Sequence, residues 1–115
     1  MRSSTGRTTK RASAKAKAPA TVAHRPQRLA WLAEKPAHAA AYLEAALETG
    51  DPGDLMQALR DIADARGGIA RLAAETGLNR ETLYRTLSKR GNPQLSSLIA
   101  ILRASGLKLA VEMMQ

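Results

Sequence analysis

The sequence contains no cysteine and no phenylalanine, and its aromatic residues are one tryptophan and two tyrosines in 115 residues. The absence of cysteine excludes disulfides, thiolate metal sites and cysteine nucleophiles. Apolar residues make up 44% of the chain, so the core must consist of Leu, Ala, Ile, Met and Val, which favours packed helices over a sheet. No apolar run approaches the roughly 18 residues of a membrane span.

The sequence motifs of common enzymes are also absent. There is no phosphate-binding Gly-x-x-x-x-Gly-Lys-Ser/Thr loop, no His-Glu-x-x-His and no Gly-x-Ser-x-Gly. His24 and His38 are too far apart in the pattern to suggest a metal site. The acidic residues between positions 44 and 64 are spread along two predicted helices, and we expect them to cover solvent-exposed faces. We therefore predict a protein that is not an enzyme and that has no catalytic residues, no metal and no cofactor.

Acidic residues are missing from the first 28 positions, which hold eight Lys and Arg residues. The charge of this segment accounts for the whole formal net charge of +8, because the remaining residues contain ten basic and ten acidic side chains. Within that neutral remainder, residues 29–65 sum to −5 and residues 66–108 to +6. Charge sorted in this way indicates two different partners.

The N-terminal 20 residues contain no Leu, Ile, Val or aromatic residue. They cannot bury enough apolar surface to offset the entropy lost on ordering. We therefore predict that residues 1–28 form a disordered basic tail and that residues 29–115 form one domain. Three interpretations of the tail stay open: a non-specific nucleic-acid arm, a solubilising tail, and an organellar transit peptide.

Turn and cap residues divide the domain into helices. Leu29–Leu32 is interpreted as a short apolar lead-in that ends at Lys35-Pro36. Five helices are predicted beyond it: residues 37–49, 52–66, 69–76, 79–88 and 95–105. The alternating pattern of Leu107–Met113 predicts a β-strand, and a continuation of the preceding helix is the alternative interpretation. Because a lone strand is not stable, it would need a second copy of the chain or another protein to pair with.

The stretch from Ile69 to Ser88 has the spacing of a helix-turn-helix. Two helices that cross steeply require a small residue where they touch, which Ala73 supplies, and Gly77 suits the sharp turn. Leu78 and Leu83 then fill the space between the helices. The second helix of such a motif enters the major groove of DNA.

An inward face that contains Leu83 places other side chains of this second helix outward. Arg can bond to guanine through two hydrogen bonds, and Glu can accept one from cytosine. The candidates for base contacts are Arg80, Glu81, Tyr84 and Arg85. The candidates for phosphate contacts are Arg71, Asn79, Lys89 and Arg90.

Residues 35–111 resemble a bacterial family of antidote proteins from addiction modules, often described as prophage DNA-binding proteins. The resemblance implies a five-helix, repressor-like fold and the role of antitoxin in a type II toxin–antitoxin pair. It further implies a small RelE/ParE-like toxin as partner, repression of the shared operon, and residues 80–85 as recognition helix. The matching segments are Ala39–Leu47, Gly50–Pro52, Ala58–Ala63, Ala65–Gly68, Gly77–Tyr84, Gly91–Pro93 and Leu102–Leu109.

The expected assembly is a cytoplasmic, nucleoid-associated homodimer that reads a palindromic operator in double-stranded DNA. Two other functions are compatible with the sequence. One is a stand-alone transcriptional regulator of prophage type without a toxin partner. The other is a nucleoid-type protein that binds DNA mainly through its basic tail, with similar affinity for all sequences.

Overall fold

The computed structural model describes residues 24–115, so residues 1–23 of the predicted disordered tail lie outside the described part. All regular structure between residues 24 and 115 is helical, which confirms the all-α prediction. The helices are α1 (Arg25–Glu34), α2 (Pro36–Glu48), α3 (Pro52–Ala65), α4 (Gly68–Thr76), α5 (Arg80–Thr86) and α6 (Leu95–Ala104).

The prediction of five helices is wrong, because the apolar lead-in is itself a helix in the described chain. Helix α1 begins at Arg25, with a proline in its first turn, and it buries Leu32 completely. Its first turn, residues 25–28, falls within the predicted basic tail, whose bounds follow from charge alone. Lys35 then takes an extended conformation, with φ −163° and ψ 154°, as expected for a residue that precedes proline. One extended residue therefore separates α1 from α2.

Helix α3 is the centre of the domain. It packs against α1, α2 and α4, and α4 in turn contacts α5 and α6. The start of α3 follows from local sequence. The carboxylate of the N-cap residue Asp51 accepts a hydrogen bond from the backbone N–H of Gly53 at 2.9 Å, and Pro52 occupies the first helical position. The buried apolar core consists of Leu32, Ala39, Leu43, Met56, Ala58, Leu59, Ile62, Ala63, Ile69, Leu72, Leu83, Leu87, Ile101 and Leu102.

The helices α1 and α2 are joined by an aromatic stack. The rings of Trp31 and His38 lie with centroids 4.2 Å apart and planes within 7° of parallel. The Nδ1 atom of His38 lies 2.7 Å from the Trp31 carbonyl oxygen. These contacts fix the angle at which the chain turns around the single extended residue between the two helices.

The predicted C-terminal strand is not present: the described part of the chain contains no strand, and residues 107–115 take no regular structure. Gly106 ends α6 with a positive φ of 79°. The N–H of Leu107 then donates to the Leu102 carbonyl at 2.8 Å. A strand requires a neighbouring backbone to satisfy its N–H and C=O groups, and no other segment of the described chain supplies one. None of the described helices is long and apolar enough to cross a membrane.

Candidate nucleic-acid interface

Helices α4 and α5 are joined by a three-residue turn, Gly77–Asn79. Gly77 has a φ of 77°, which a glycine adopts without steric cost, and its N–H donates to the Ala73 carbonyl at 2.9 Å. The hydroxyl of Thr76 donates to the Leu72 carbonyl at 2.7 Å and accepts from the N–H of Leu78 at 3.2 Å. Side chain and backbone thus together hold the turn in one conformation.

Helix α5 begins at a cap formed by Asn79. Its side-chain oxygen accepts hydrogen bonds from the N–H groups of Glu81, at 2.8 Å, and Thr82, at 3.2 Å. The oxygen of Asn79 is therefore committed to the helix, and only its amide NH₂ is left to donate to a phosphate.

The predicted scaffold residues of the motif lie between the helices. Leu83 is 1% exposed, whereas Ala73 and Leu78 are half-buried and pack against the core. Gly77 is exposed, and no atom lies within 4 Å of the position a Cβ would take. The conformation of the turn, rather than a close packing contact, is therefore what requires glycine here.

The predicted base-contact residues all lie on the exposed side of α5. Arg80, Glu81, Tyr84 and Arg85 are exposed, and positions 81, 84 and 85 share one helical face because they are three and four residues apart. Within residues 24–115, no ion pair involves Arg80, Glu81 or Arg85. The face therefore presents charges that are free to contact a ligand.

The predicted phosphate-contact residues differ in what already holds them. Lys89 and Arg90 are exposed, follow α5, and form no ion pair in the described part of the chain. Arg71 instead pairs with Glu75, with Nε to Oε2 at 3.1 Å, although both side chains are largely exposed. Arg71 would have to exchange this weak pair for a phosphate.

Two residues of α3 lie beside this surface and were not predicted. The guanidinium carbon of Arg60 lies 5.0 Å from the centre of the Tyr84 ring, which is a cation–π distance. A Cβ on buried Gly53 would lie 2.9 Å from the Lys89 carbonyl oxygen, so the loop after α5 rests directly on the start of α3. No local pattern indicates contacts between residues so far apart in the sequence.

A second charged cluster, the Asp61 cluster, lies between α1, α2 and α3. Asp61 is 2% exposed, so the expectation that the acids of residues 44–64 cover solvent-exposed faces is wrong for this residue. Tyr42 donates to Asp61 Oδ2 at 2.7 Å. Arg25 and Gln57 donate to Oδ1 at 3.2 and 3.4 Å. A buried carboxylate needs such partners, because burial without them would cost several kcal/mol.

Two further charges complete the Asp61 cluster. Arg28 lies with its buried Nε 3.7 Å from Asp61 Oδ2, an ion pair too long to be a hydrogen bond. Arg25 also donates to Asp64 at 2.7 Å, and this hydrogen bond is the main cause that raises the pKa of Arg25. Burial raises the pKa of Tyr42 to about 12, and the hydrogen bond to Asp61 acts in the same direction.

No arrangement in residues 24–115 brings together three or more His, Asp or Glu side chains that could hold a metal ion. Both carboxylate oxygens of Asp61 already accept hydrogen bonds from side chains of the cluster, so this carboxylate is not available to a ligand. On the surface of α5 and of the residues directly after it, several exposed charges lie close together and form no ion pair in the described part of the chain.

Comparison with known protein families matches the chain to the family described as "Probable addiction module antidote protein". The match spans residues 29–113. The chain belongs to this family. A curated relative is an uncharacterized protein of Haemophilus influenzae. The two sequences are 34% identical over 71 residues, which cover 62% of this chain and 72% of the relative. No solved structure matches the chain significantly. The family match begins inside α1 and includes α2 to α6 and most of the segment after them.

Proposed function

We propose that the chain is the antitoxin of a type II toxin–antitoxin module, which neutralises a RelE/ParE-like toxin and binds operator DNA to repress its own operon. The observation that carries the proposal is the match to the antidote family over residues 29–113. The exposed, unpaired charges of α5 support its DNA-binding half. The proposal includes no catalytic activity and no cofactor.

In the DNA-binding half of the proposal, α4 and α5 act as a helix-turn-helix with α5 as recognition helix. Arg80 and Arg85 would bond to guanine in the major groove and Glu81 would accept from cytosine, while Tyr84, the remaining base candidate, lies beside Arg60. The phosphate contacts would come from Arg71, Lys89, Arg90 and the amide of Asn79. A homodimer would place two such helices about 34 Å apart on a palindrome, in the nucleoid of the cytoplasm.

In the toxin-binding half, the acidic surface of α2 and the start of α3 faces a basic toxin. The charge available there is smaller than the −5 of residues 29–65, because Asp61 and Asp64 are held by Arg25, Arg28 and Arg60. Glu44 on α2 and Asp51 at the start of α3 remain exposed. A toxin that cleaves RNA would carry the complementary positive charge.

The test uses a cell whose growth stops when the product of the neighbouring gene is expressed alone. The chain is then expressed together with that product. We expect the full chain to restore growth and to co-purify with the toxin. A double substitution, Arg80→Ala with Arg85→Ala, should still restore growth but should no longer protect the promoter DNA from nuclease. Restored growth by this variant separates the toxin contact from the DNA contact.

Two outcomes would overturn parts of this proposal. Protection of a promoter without any co-purifying partner would indicate the stand-alone regulator instead. Equal affinity for all DNA sequences, lost on deletion of residues 1–23, would indicate a protein that binds through its tail.

A further inference from the structure

The chain ends in an apolar segment that its own fold does not cover. Residues 107–115, called here the C-terminal segment, leave α6 at Gly106 and pack against the core only through Leu107. Monomeric proteins seldom expose so many large apolar side chains in one place. The exposed fractions are 53% for Leu109, 94% for Val111, 92% for Met113 and 92% for Met114.

The C-terminal segment forms one wall of an apolar groove of about 510 Å³, called here the C-terminal groove. Leucines of α2, α3 and α6 line its other walls, and one of them, Leu47, is 59% exposed. Charged residues of the lining are Glu44, Lys108 and Glu112. The leucines of the lining are Leu43, Leu47, Leu55, Leu59, Leu98, Leu102, Leu107 and Leu109.

The C-terminal segment is complementary to itself when it is reversed. In an antiparallel pair of two copies centred on Ala110, Leu109 of one copy faces Val111 of the other. Lys108 then faces Glu112 of the other copy, and by symmetry this ion pair forms twice. The large apolar residues at positions 107, 109, 111 and 113 fall on one face of the pair, and both ion pairs lie with Ala110 on the opposite face.

Other registers of the same pair are worse. A shift that centres the pair on Lys108 or on Glu112 places like charges directly opposite each other. A shift by one residue moves the apolar side chains of one copy onto the charged face of the other. Registers centred on Leu109 or Val111 keep the apolar face but lose both ion pairs. Charge and pattern together therefore favour the register centred on Ala110, in which the two copies are related by two-fold symmetry.

We propose that the C-terminal groove is the dimer interface and that the C-terminal segment of a second copy occupies it, paired antiparallel to the first segment about Ala110. In the single chain the segment is not a strand because its backbone has no neighbour. In the dimer the two segments form a two-stranded ribbon, and its apolar face covers the exposed leucines of both grooves. A ribbon without such a covering layer would be marginally stable.

This inference rests on the proposed function for its purpose, since a palindrome requires two recognition helices in one particle. Its test needs neither DNA nor toxin, so the interface and the proposed function can fail separately. The full chain is compared with its variants by analytical ultracentrifugation, and the helix content by circular dichroism.

The first test reverses one charge at a time. Lys108→Glu alone, or Glu112→Lys alone, places like charges at both cross-strand positions, and the dimer should weaken by about tenfold or more. The double variant, Lys108→Glu with Glu112→Lys, restores opposite charges and should dimerise like the original chain. Both side chains are exposed and unpaired in the single chain, so the fold should not change.

The second test fixes the register and uses the absence of cysteine. In the proposed pair the two Ala110 residues face each other with Cβ atoms about 4.5–5.5 Å apart, close enough for a disulfide after a small adjustment. Ala110→Cys should therefore give a covalent dimer on mild oxidation. Leu109→Cys is the matched control, because its two copies lie diagonally, about 7–8 Å apart, and should crosslink poorly.

Three results would overturn the proposal. The first is a full chain that stays monomeric at every concentration. The second is a dimer that neither single charge reversal weakens, which would place the interface elsewhere. The third is a monomer whose C-terminal segment becomes protected only with a different protein, which would assign the groove to that protein.

Discussion

The two charged regions of this domain differ in whether their charged side chains are paired within the fold. In the Asp61 cluster, arginines of α1 face acids of α3 and are partly or fully buried with them, and a tyrosine of α2 adds a hydrogen bond. Around α5, the charges stay exposed and find no partner in the described chain. The formal charge of a segment therefore does not measure the charge that is available to a ligand. In residues 29–65 several acidic side chains are engaged in ion pairs that stabilise the fold. The basic side chains around α5 remain available.

The largest test of this contrast is removal of Asp61. Asp61→Ala should lower the free energy of unfolding by about 3–5 kcal/mol, because it leaves Arg28 and its neighbours without their shared carboxylate. Urea unfolding measures the effect. Glu44→Ala is the matched control from the exposed acids and should change stability by less than about 0.5 kcal/mol. Equal effects of the two variants would contradict the distinction between charges that are engaged in the fold and charges that remain exposed.

Substitution of Arg85 tests the other half of the comparison. Arg85→Ala should leave stability nearly unchanged and should weaken operator binding by about 1–3 kcal/mol, with relaxed preference at one base pair. Lys89→Ala, its control, should weaken binding to all sequences alike and reduce the salt dependence. Affinities on an operator selected from random DNA, and on single-base variants of it, measure both. A uniform loss for Arg85→Ala would make it a phosphate contact.

The hydrogen bond from Tyr42 ties α2 to the Asp61 cluster. Tyr42→Phe should lower the free energy of unfolding by about 1.5 kcal/mol, since a hydrogen bond to a charged group contributes about 1.5–3 kcal/mol and the ring is only half-buried. Urea unfolding again reads this, and Tyr84→Phe, on the exposed face, is the control. A loss no larger than that control's would show that the hydroxyl contributes nothing to the cluster.

The same hydroxyl gives the stability a pH dependence. The pKa of Tyr42 is raised from 10.0 to about 12 in the folded chain, so the folded state holds the proton more tightly than the unfolded state. This contribution is complete below pH 10 and is lost as the pH rises towards 12. Tyrosinate absorbance in a Tyr84→Phe background follows the titration of Tyr42 alone. Ionisation at the ordinary tyrosine pKa would contradict the burial of the hydroxyl.

The smallest expected effect belongs to Arg60, which lies where the two regions meet. Arg60→Met keeps the aliphatic stem but removes both the charge over Tyr84 and the ion pair with Asp64, and it should lower the free energy of unfolding by about 1 kcal/mol. In operator binding the loss should be smaller than for Arg85→Ala. A double substitution with Tyr84→Leu measures the coupling between the two side chains. Additive losses would show that the ring and the guanidinium act independently.

Local features of the sequence predicted much of this fold. Asp51-Pro52 and Asn79 mark helix starts because a cap needs only neighbouring residues, and Gly77 marks a turn for the same reason. The exposed positions of α5 follow from helical periodicity once buried Leu83 is fixed.

What the sequence did not predict depends on residues far apart in the chain. Arg25 and Asp61 are 36 residues apart. Nothing in the basic first turn of α1 therefore indicates that Arg25 pairs with a buried carboxylate. The C-terminal segment failed as a predicted strand for a related reason. Its pattern is that of a strand, but no other segment of residues 24–115 supplies the partner backbone that a strand needs.

The stack of Trp31 on His38 gives this molecule a built-in optical signal. The chain has a single tryptophan, and its ring lies parallel to the imidazole at the junction of α1 and α2. Its fluorescence therefore reports separation of these two helices without any label. Because neither α5 nor the C-terminal groove includes Trp31, the emission should follow unfolding and stay constant when DNA or a second copy binds.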